Sequence, residues 1–266
     1  MGFFIQHLSH NLLLEENGKK LRVVGYLSPR GSRGDKKQSL SRFLSQLKAK
    51  NPLFLDGKAF FRYEREFDWV AHFKNSFQPR QVAPGWWVVS PWNKGHSENE
   101  IIIEPKMAFG TGEHATTQLC WQAALGLVRP GMAVLDFGTG SGLLAMLAAK
   151  LGAAKVLGID NDSLAVDNAK ENIGLNKAGP KVKIVWGSVE AIPNGIFDLI
   201  FANLILSQVK GFFPRFNKAL KKEGFLIASG ILSYQVPELV RFLSRQKAEV
   251  VALGRDSDWA ALIISP

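Results

Sequence analysis

Two glycine clusters lie close together in this sequence, and both are of the kind that forms tight turns around a bound molecule. They are MAFGTGEHATT at 107–117 and DFGTGSG at 136–142. In the second, Gly138, Gly140 and Gly142 separate an apolar run from a helix-like run. They are therefore predicted at a strand-to-helix turn, where the backbone can approach a ligand closely. The spacing is GxGxG, and neither GxGxxG nor GxxxxGK[ST] occurs, so the sequence does not predict a phosphate-binding turn.

Two polar residues end strands predicted beside this turn. Asp160 ends KVLGID, 22 residues after Gly138, and a carboxylate there can accept hydrogen bonds from both hydroxyls of a ribose. Capping the following helix is the alternative use for this residue. Asn203 ends FDLIFAN, the next strand but one. Ligands of open α/β sheets bind at the carboxyl ends of the strands, so the turn and both side chains are predicted at one site.

Strands and helices alternate from about residue 100 onward, which predicts an α/β fold with a doubly wound parallel sheet. Asp162 or Ser163 is placed to cap the helix after Asp160, and Gly152 to end the helix after the glycine turn. The segment EVVALGRDSDWAALIIS predicts an antiparallel hairpin at the end of the chain. The predicted strands are NEIIIEP, AVLDFG, KVLGID, KVKIVWG, FDLIFANL and FLIASGIL, and the predicted helices are HATTQLCWQAALGLV, LLAMLAAKLG, DSLAVDNAKENIGLN and SQVKGFFPRFNKALKKEG.

The first hundred residues follow a different pattern, which predicts a small α+β domain. KKLRVVGYLSP, AFFRYEREFDW and GWWVVSPW are strand-like, and one amphipathic helix is predicted from apolar residues at helical spacing: Leu40, Phe43, Leu44 and Leu47. We expect residues 1–67 to form this domain, 68–98 to be a linker and the start of the catalytic region, and 99–266 to form the second domain.

The composition is that of a globular protein with a basic surface. Residues 1–100 hold 16 Lys and Arg against 9 Asp and Glu, so most of the net charge of +10 lies in this part of the chain. A basic surface suits an acidic or nucleic-acid environment, or serves solubility alone. No apolar run of about 18 residues predicts a membrane span, and the N-terminus does not read as a secretory signal. One cysteine, Cys120, predicts a reducing cytosol, and the histidines lack metal-ligand spacing.

The glycine turn, the ribose carboxylate, the absence of a phosphate-binding pattern and the terminal hairpin together resemble the class I methyltransferases that use S-adenosylmethionine. Enzymes of this class that methylate base amines typically carry Asn or Asp followed by Pro-Pro-aromatic where Asn203 lies. This chain has NLIL there, without an aromatic residue on which a flipped base could stack.

Further motifs resemble one family of that class, the ribosomal protein L11 methyltransferases (PrmA). They are MAFGTGEHATT, DFGTGSG, GIDNDS, ANLIL and SGIL, together with DWVAHFKNSFQP at 68–79. The resemblance covers about 68–266 well and the first 60 residues poorly. The chain departs from the family pattern at four places: Glu113, Ala115, Ser163 and the pair Leu204-Ile205.

The resemblance implies S-adenosylmethionine as cofactor, with contacts to Thr117, Gly138, Asp160 and Asn203, and MAFGTGEHATT as a lid over its methionine end. It implies a cytoplasmic protein N-methyltransferase with a Rossmann-like class I sheet, acting on lysine ε-amines and possibly the α-amine of ribosomal protein L11. No catalytic base, metal, membrane contact or direct nucleic-acid substrate is expected, and His114 is interpreted as a loop-fixing residue. The alternatives are an RNA methyltransferase and a non-enzymatic ribosome-assembly binder that keeps the fold.

Overall fold

The computed structural model describes residues 77–106 and 110–266, the backbone of 12–17 and 20–25, and residues 38, 41, 42, 45 and 49. The chain divides into two compact units, Met1–Phe67 and Asp68–Pro266. No helix among the described residues combines the length and hydropathy needed to cross a membrane.

In the first unit, two strands form an antiparallel hairpin. They are β1 (Leu12–Asn17) and β2 (Lys20–Gly25), and Leu12 pairs with Gly25 at the open end. Strand β2 lies within the predicted segment KKLRVVGYLSP, whereas β1 was not predicted. Gln38, Ser41, Arg42, Ser45 and Ala49 are helical and exposed, at positions that suit the polar face of the predicted amphipathic helix. The apolar stripe of that helix and the strand predicted in AFFRYEREFDW lie outside the described residues.

The second unit is built on a seven-stranded sheet. Its strands are β6 (Ala133–Phe137), β7 (Lys155–Asp160), β8 (Val182–Trp186), β9 (Phe197–Asn203), β10 (Leu220–Leu232), β11 (Glu249–Asp256) and β12 (Trp259–Ser265). The order is β11-β12-β10-β9-β6-β7-β8. Strands β6 to β10 are parallel, and the β11–β12 hairpin adds the antiparallel edge that the sequence predicted.

Five helices cover the two faces of this sheet. They are α1 (Ala115–Leu127), α2 (Leu143–Lys150), α3 (Ser163–Leu175), α4 (Leu206–Ala219) and α5 (Val236–Arg245). Buried residues of α1 and α2 and Ile173 of α3 belong to one hydrophobic core, and the buried residues of α4 and α5 belong to a second. Strands therefore alternate with helices as predicted, which makes this a Rossmann-like α/β domain.

A second, three-stranded sheet precedes α1 in the chain. It contains β3 (Arg80–Ala83), β4 (Trp86–Val89) and β5 (Glu100–Ile102) in that order. Val82, Val88 and Ile101 belong to the core of α1 and α2. Residues from 80 onward are thus packed as part of the second unit.

The sequence analysis placed two helices incorrectly. The helix predicted through Gly224 ends at Ala219, because the chain from Leu220 pairs with Phe197 at the start of β9. Helix α5 was not predicted at all, although its buried residues Val236, Leu239 and Leu243 follow helical spacing.

Candidate functional site

The loop from Gly138 to Gly142, called the floor loop below, connects β6 to α2 at the carboxyl end of the sheet. Its three glycines have φ angles of +74° at Gly138, +54° at Gly140 and +82° at Gly142. Side chains disfavour this left-handed region, which explains why the motif uses glycine at alternate positions. The backbone N–H groups of Gly138 and Thr139 donate to the Ile159 carbonyl of β7, at 2.8 and 3.1 Å. The floor loop is thus held against the next strand of the sheet.

Asp160 anchors the middle of the floor loop. Its Oδ2 atom accepts a hydrogen bond from the Gly140 N–H at 2.9 Å, and its Oδ1 atom accepts one from the Asp162 N–H at 3.0 Å. A carboxylate has about four acceptor positions, so two remain for a ligand. The alternative considered for Asp160, capping α3, belongs to Asp162, whose Oδ1 atom accepts from the Leu164 N–H at 2.9 Å.

Asp136 is a buried carboxylate beneath the floor loop. Its Oδ2 atom accepts hydrogen bonds from Thr139 Oγ1 at 2.7 Å and from the Ala145 N–H at 3.0 Å. Burial raises the pKa of Asp136 to about 6, and the nearby Asp160 carboxylate adds to the increase. The sequence analysis did not single out this residue, although an acid inside the apolar run AVLDF was a visible signal.

The first glycine cluster is hydrogen-bonded to the floor loop. Of this cluster the structure describes residues 110–117, and we refer to Gly110–His114 as the upstream glycine segment. Ser141 Oγ donates to the Gly110 carbonyl at 2.6 Å. Gly110 has a φ of +99°, and a Cβ atom added there would lie 3.1 Å from Ser141 Oγ. The two glycine clusters therefore touch each other directly.

The upstream glycine segment is also tied to β3 and to α1. Arg80 and Glu113 form an exposed ion pair with an N–O distance of 3.0 Å. Gln118 Nε2 donates to the Gly112 carbonyl at 3.2 Å. His114 is the N-cap residue of α1 and accepts the Thr116 N–H at its Nδ1 atom, while its ring packs edge-on against Trp259. This arrangement confirms His114 as a residue that fixes the loop.

Thr117 and Asn203 meet at the carboxyl end of β9. Asn203 Nδ2 donates to Thr117 Oγ1 at 3.4 Å, and Thr117 is almost fully buried in the first turn of α1. Ser229 of β10 fixes this turn, because its hydroxyl donates to the Thr116 carbonyl at 3.2 Å. Residues that are 86 positions apart in the chain are brought into contact in this way.

Leu204, which follows Asn203 in the chain, packs against the floor loop. A Cβ atom added to Gly138 would lie 3.0 Å from Leu204 Cδ2, and one added to Gly230 would lie 2.5 Å from the Leu204 carbonyl oxygen. The side chain of Leu204 therefore packs closely on Gly138, and its backbone packs closely on Gly230. The structure thus brings Asp160 against the floor loop and Asn203 against Thr117, and Leu204, which follows Asn203, packs against Gly138.

Trp186 is a candidate ligand contact that the sequence analysis missed. It ends β8 and is paired with Asp160 in the sheet register. Its side chain is 66% exposed, and its Nε1–H donates to the Asn161 carbonyl at 3.0 Å. The available signal was an aromatic residue at the end of a strand predicted next to the one that ends at Asp160. Such a ring can contact the base of a nucleoside.

Metal or thiol chemistry finds no support in the described part of the chain. No cluster of three His, Cys, Asp or Glu side chains suited to a metal ion occurs there. Cys120 is fully buried on α1, and burial raises the pKa of its thiol to about 12. The thiol is therefore protonated near neutral pH and is not a nucleophile.

The residues present suit S-adenosylmethionine. Asp160 keeps acceptor positions for two ribose hydroxyls, and the floor loop exposes no lysine or arginine for a phosphate. The Thr117 hydroxyl and the Asn203 amide provide further hydrogen-bonding groups at the carboxyl end of β9. A nucleoside without phosphates, carrying a polar zwitterionic chain, matches this distribution of polar groups.

Comparisons with known proteins agree with the geometry. Residues 14–265 match the family model described as Ribosomal protein L11 methyltransferase (PrmA). A protein of that name from Clostridium perfringens is 32% identical over 254 residues, covering 94% of this chain and 81% of its own. Another from Symbiobacterium thermophilum is 35% identical over 244 residues, covering 91% and 79%. The crystal structure of ribosomal protein L11 methylase from Lactobacillus delbrueckii subsp. bulgaricus is 30% identical with a TM-score of 0.66, covering 71% of this chain and 98% of its own.

Proposed function

The chain belongs to the ribosomal protein L11 methyltransferase (PrmA) family, and on that premise we propose how it acts on its substrate. It is an S-adenosylmethionine-dependent protein methyltransferase whose substrate is ribosomal protein L11. The acceptors are lysine ε-amines, with the α-amine as a second acceptor. One observation supports the site assignment most directly: the Gly140 N–H donates to Asp160. This bond places the carboxylate that is proposed to bind the ribose against the floor loop.

Four residues would hold the cofactor. Asp160 would accept the ribose hydroxyls, and Gly138 would let the backbone approach the ligand. Thr117 would donate its hydroxyl to the methionine carboxylate. Asn203 would orient the incoming amine through its amide carbonyl, which is a hydrogen-bond acceptor. When bound, S-adenosylmethionine supplies an electrophilic methyl group on a sulfonium centre.

The residues of this chain act on the acceptor by position and by desolvation. A nucleophilic amine must be neutral, whereas an exposed lysine has a pKa of about 10.4. Moving the ammonium group out of water lowers that pKa, because burial disfavours the charged form. Holding the amine in line with the methyl group then removes much of the entropic cost of the reaction. No side chain is proposed as a general base, because an amine with a lowered pKa can release its proton to water before it attacks the methyl group. His114 is assigned to capping α1.

Residues 1–67 are proposed to recognise the substrate protein. They form a unit separate from the one that contains the site, and they carry the larger share of the basic residues for their length. Residues 99–266 are proposed as the catalytic domain, with 68–98 leading into it. We also propose that the protein works in the cytoplasm, where ribosomal proteins are made.

The test is methylation of purified ribosomal protein L11 by the full-length enzyme with S-adenosylmethionine. We expect mass increments of whole methyl groups, which peptide mass spectrometry should place on lysines and on the N-terminus. Parallel reactions contain NAD in place of S-adenosylmethionine, or ribosomal RNA in place of the protein. Transfer to RNA but not to the protein would support the alternative of an RNA methyltransferase. Binding of cofactor and protein without transfer would support the non-enzymatic alternative.

A further inference from the structure

Three asparagines on one face of α3 bind the backbone of the chain that follows β4. Asn168, Asn172 and Asn176 are spaced four residues apart, and Asn176 is the last, capping residue of the helix. Asn176 bonds both backbone groups of Ile102: the Ile102 N–H donates to its Oδ1 atom at 2.9 Å, and its Nδ2 donates to the Ile102 carbonyl at 2.6 Å. For Glu104, the N–H donates to Asn172 Oδ1 at 2.8 Å and the carbonyl accepts from Asn168 Nδ2 at 3.2 Å.

The spacing of this ladder has a geometric reason. Four residues of an α-helix rise about 6 Å, and two residues of an extended chain advance about 6.6 Å. Asn176 and Asn172 can therefore meet Ile102 and Glu104, which are two residues apart on a strand that runs along the helix. Asn168 reaches the carbonyl of the same Glu104. Asparagine is a poor helix former, and Asn168 and Asn172 are almost completely buried. Their hydrogen bonds offset the cost of placing an amide there.

Asn172 differs from its two neighbours because it also reaches the floor loop. Its Nδ2 donates to the Ser141 carbonyl at 2.9 Å, while its Oδ1 accepts from Glu104. Ser141 in turn donates its hydroxyl to the Gly110 carbonyl at 2.6 Å. The buried amide of Asn172 thus connects Glu104, which precedes the upstream glycine segment, to Ser141 of the floor loop. Ser141 in turn connects the floor loop to Gly110 of that segment.

We infer that Asn172 is a positioning residue, which holds the floor loop and the upstream glycine segment in one fixed arrangement before any ligand binds. The floor loop is then held from two sides, at Gly140 by Asp160 and at Ser141 by Asn172. Its effect on cofactor affinity rests on the proposed function, whereas its effect on the loop does not.

Asn176 provides a matched control on the same helix. Its side chain makes two hydrogen bonds to the same stretch of chain, and none of its bonds goes to the floor loop. Asn172→Leu and Asn176→Leu each remove a side-chain amide that binds the chain at Ile102 or Glu104, and Asn176→Leu also removes a bond to the Asn172 carbonyl. Only Asn172→Leu releases Ser141.

The first measurement is amide hydrogen exchange of the full-length protein without ligand. The N–H groups of Gly140 and Gly142 report on the floor loop, because they donate to Asp160 and to the Thr139 carbonyl. We expect Asn172→Leu to accelerate their exchange by about tenfold, the scale of one lost hydrogen bond. Asn176→Leu should leave both amides within about twofold of wild type. Equal acceleration in the two variants, or none in Asn172→Leu, would overturn the inference.

The second measurement is the dissociation constant of S-adenosylmethionine by calorimetry. We expect Asn172→Leu to weaken binding by about tenfold and Asn176→Leu to change it by less than about threefold. If Asn172→Leu does not fold, Asn172→Asp against Asn176→Asp gives the same comparison, because the aspartate keeps the acceptor for Glu104 and loses the amide donor. A wild-type protein that binds no S-adenosylmethionine would refute the proposed function, and the exchange comparison would still decide the role of Asn172.

Discussion

Asp160 is predicted to serve both the floor loop and the cofactor, and replacing it with alanine tests that double role. The carboxylate accepts the Gly140 N–H at 2.9 Å and the Asp162 N–H at 3.0 Å. Asp160→Ala removes both acceptors. It also removes the two remaining acceptor positions that we assign to the ribose hydroxyls. The substitution should therefore affect stability without ligand and affinity with ligand.

The expected size of the effect on affinity follows from the bonds lost. A hydrogen bond to a charged group contributes about 1.5–3 kcal/mol. If the two ribose hydroxyls together contribute on that scale, the dissociation constant of S-adenosylmethionine should rise by about ten- to a hundredfold. Loosening of the floor loop at Gly140 acts in the same direction, so the lower value is a minimum.

Asp162→Ala is the matched control for this experiment. It removes the same charge two residues away, and Asp162 also accepts one backbone N–H, from Leu164 at 2.9 Å. Loss of this N-cap should cost about 1 kcal/mol of stability. It should leave cofactor affinity close to wild type, because Asp162 makes no contact with the floor loop through its carboxylate.

Calorimetric titration of both variants and of wild type gives the affinities, and urea unfolding without ligand gives the stabilities. Asp160→Ala is expected to lose both stability and affinity, whereas Asp162→Ala is expected to lose only stability. An Asp160→Ala variant that binds S-adenosylmethionine within about threefold of wild type would refute the ribose assignment, since that is less than one hydrogen bond. Equal weakening in the two variants would show that charge near α3, and not the Asp160 contacts, controls binding.

Three further predictions follow from the same site. Burial raises the pKa of Asp136 from 3.8 to about 6, so the folded protein holds this proton more tightly and its stability falls as pH rises through that range. Complete loss of the proton would lower the free energy of unfolding by about 3 kcal/mol. Urea unfolding at pH 5 and pH 7 should show that the free energy of unfolding of wild type falls by about 1 kcal/mol relative to that of Asp136→Asn. A difference in stability between the two proteins that does not change with pH would contradict the prediction. Gly110→Val should impair methyl transfer, because it forces a side chain into a left-handed φ of +99° against Ser141. Thr117→Ala should impair methyl transfer by removing the hydroxyl proposed to bind the methionine carboxylate. Wild-type turnover and affinity in either variant would refute a lid role for MAFGTGEHATT. A fragment starting at Asp68, checked for folding by circular dichroism, should bind S-adenosylmethionine but lose methylation of intact ribosomal protein L11, and full activity would place recognition in the second unit.

Most strands and helices of the second unit could be predicted from the sequence alone, with β3 and α5 as the elements that were missed. Alternating apolar runs and amphipathic stretches specify which residues must be buried, and parallel strands joined by helices leave few topologies. The hairpin of β11 and β12 was predictable from the turn residues between two apolar runs. The helix error at Ala219 arose because the charged residues 221–223 continue a helical composition, whereas pairing of Leu220 with Phe197 decides the structure.

The residues proposed to bind the ligand were named from the sequence. The motifs DFGTGSG and GIDND and the strand end FDLIFAN named Gly138, Asp160 and Asn203 as site residues, because carboxyl ends of parallel strands share one edge of the sheet. Thr117 came from the family resemblance. Their roles in binding remain predictions.

The sequence by itself determined the individual strands, helices and turns and the chemical groups at their ends. It could do so because hydrophobic periodicity and glycine placement are patterns within a few neighbouring residues. Only the tertiary structure decided which distant groups meet. Asn203 donates to Thr117, 86 residues away, and Ser141 donates to Gly110, 31 residues away. Asn172 binds Ser141, 31 residues away, and Glu104, 68 residues away. No local pattern encodes such contacts, because they depend on how β5, α1 and α3 pack around the sheet.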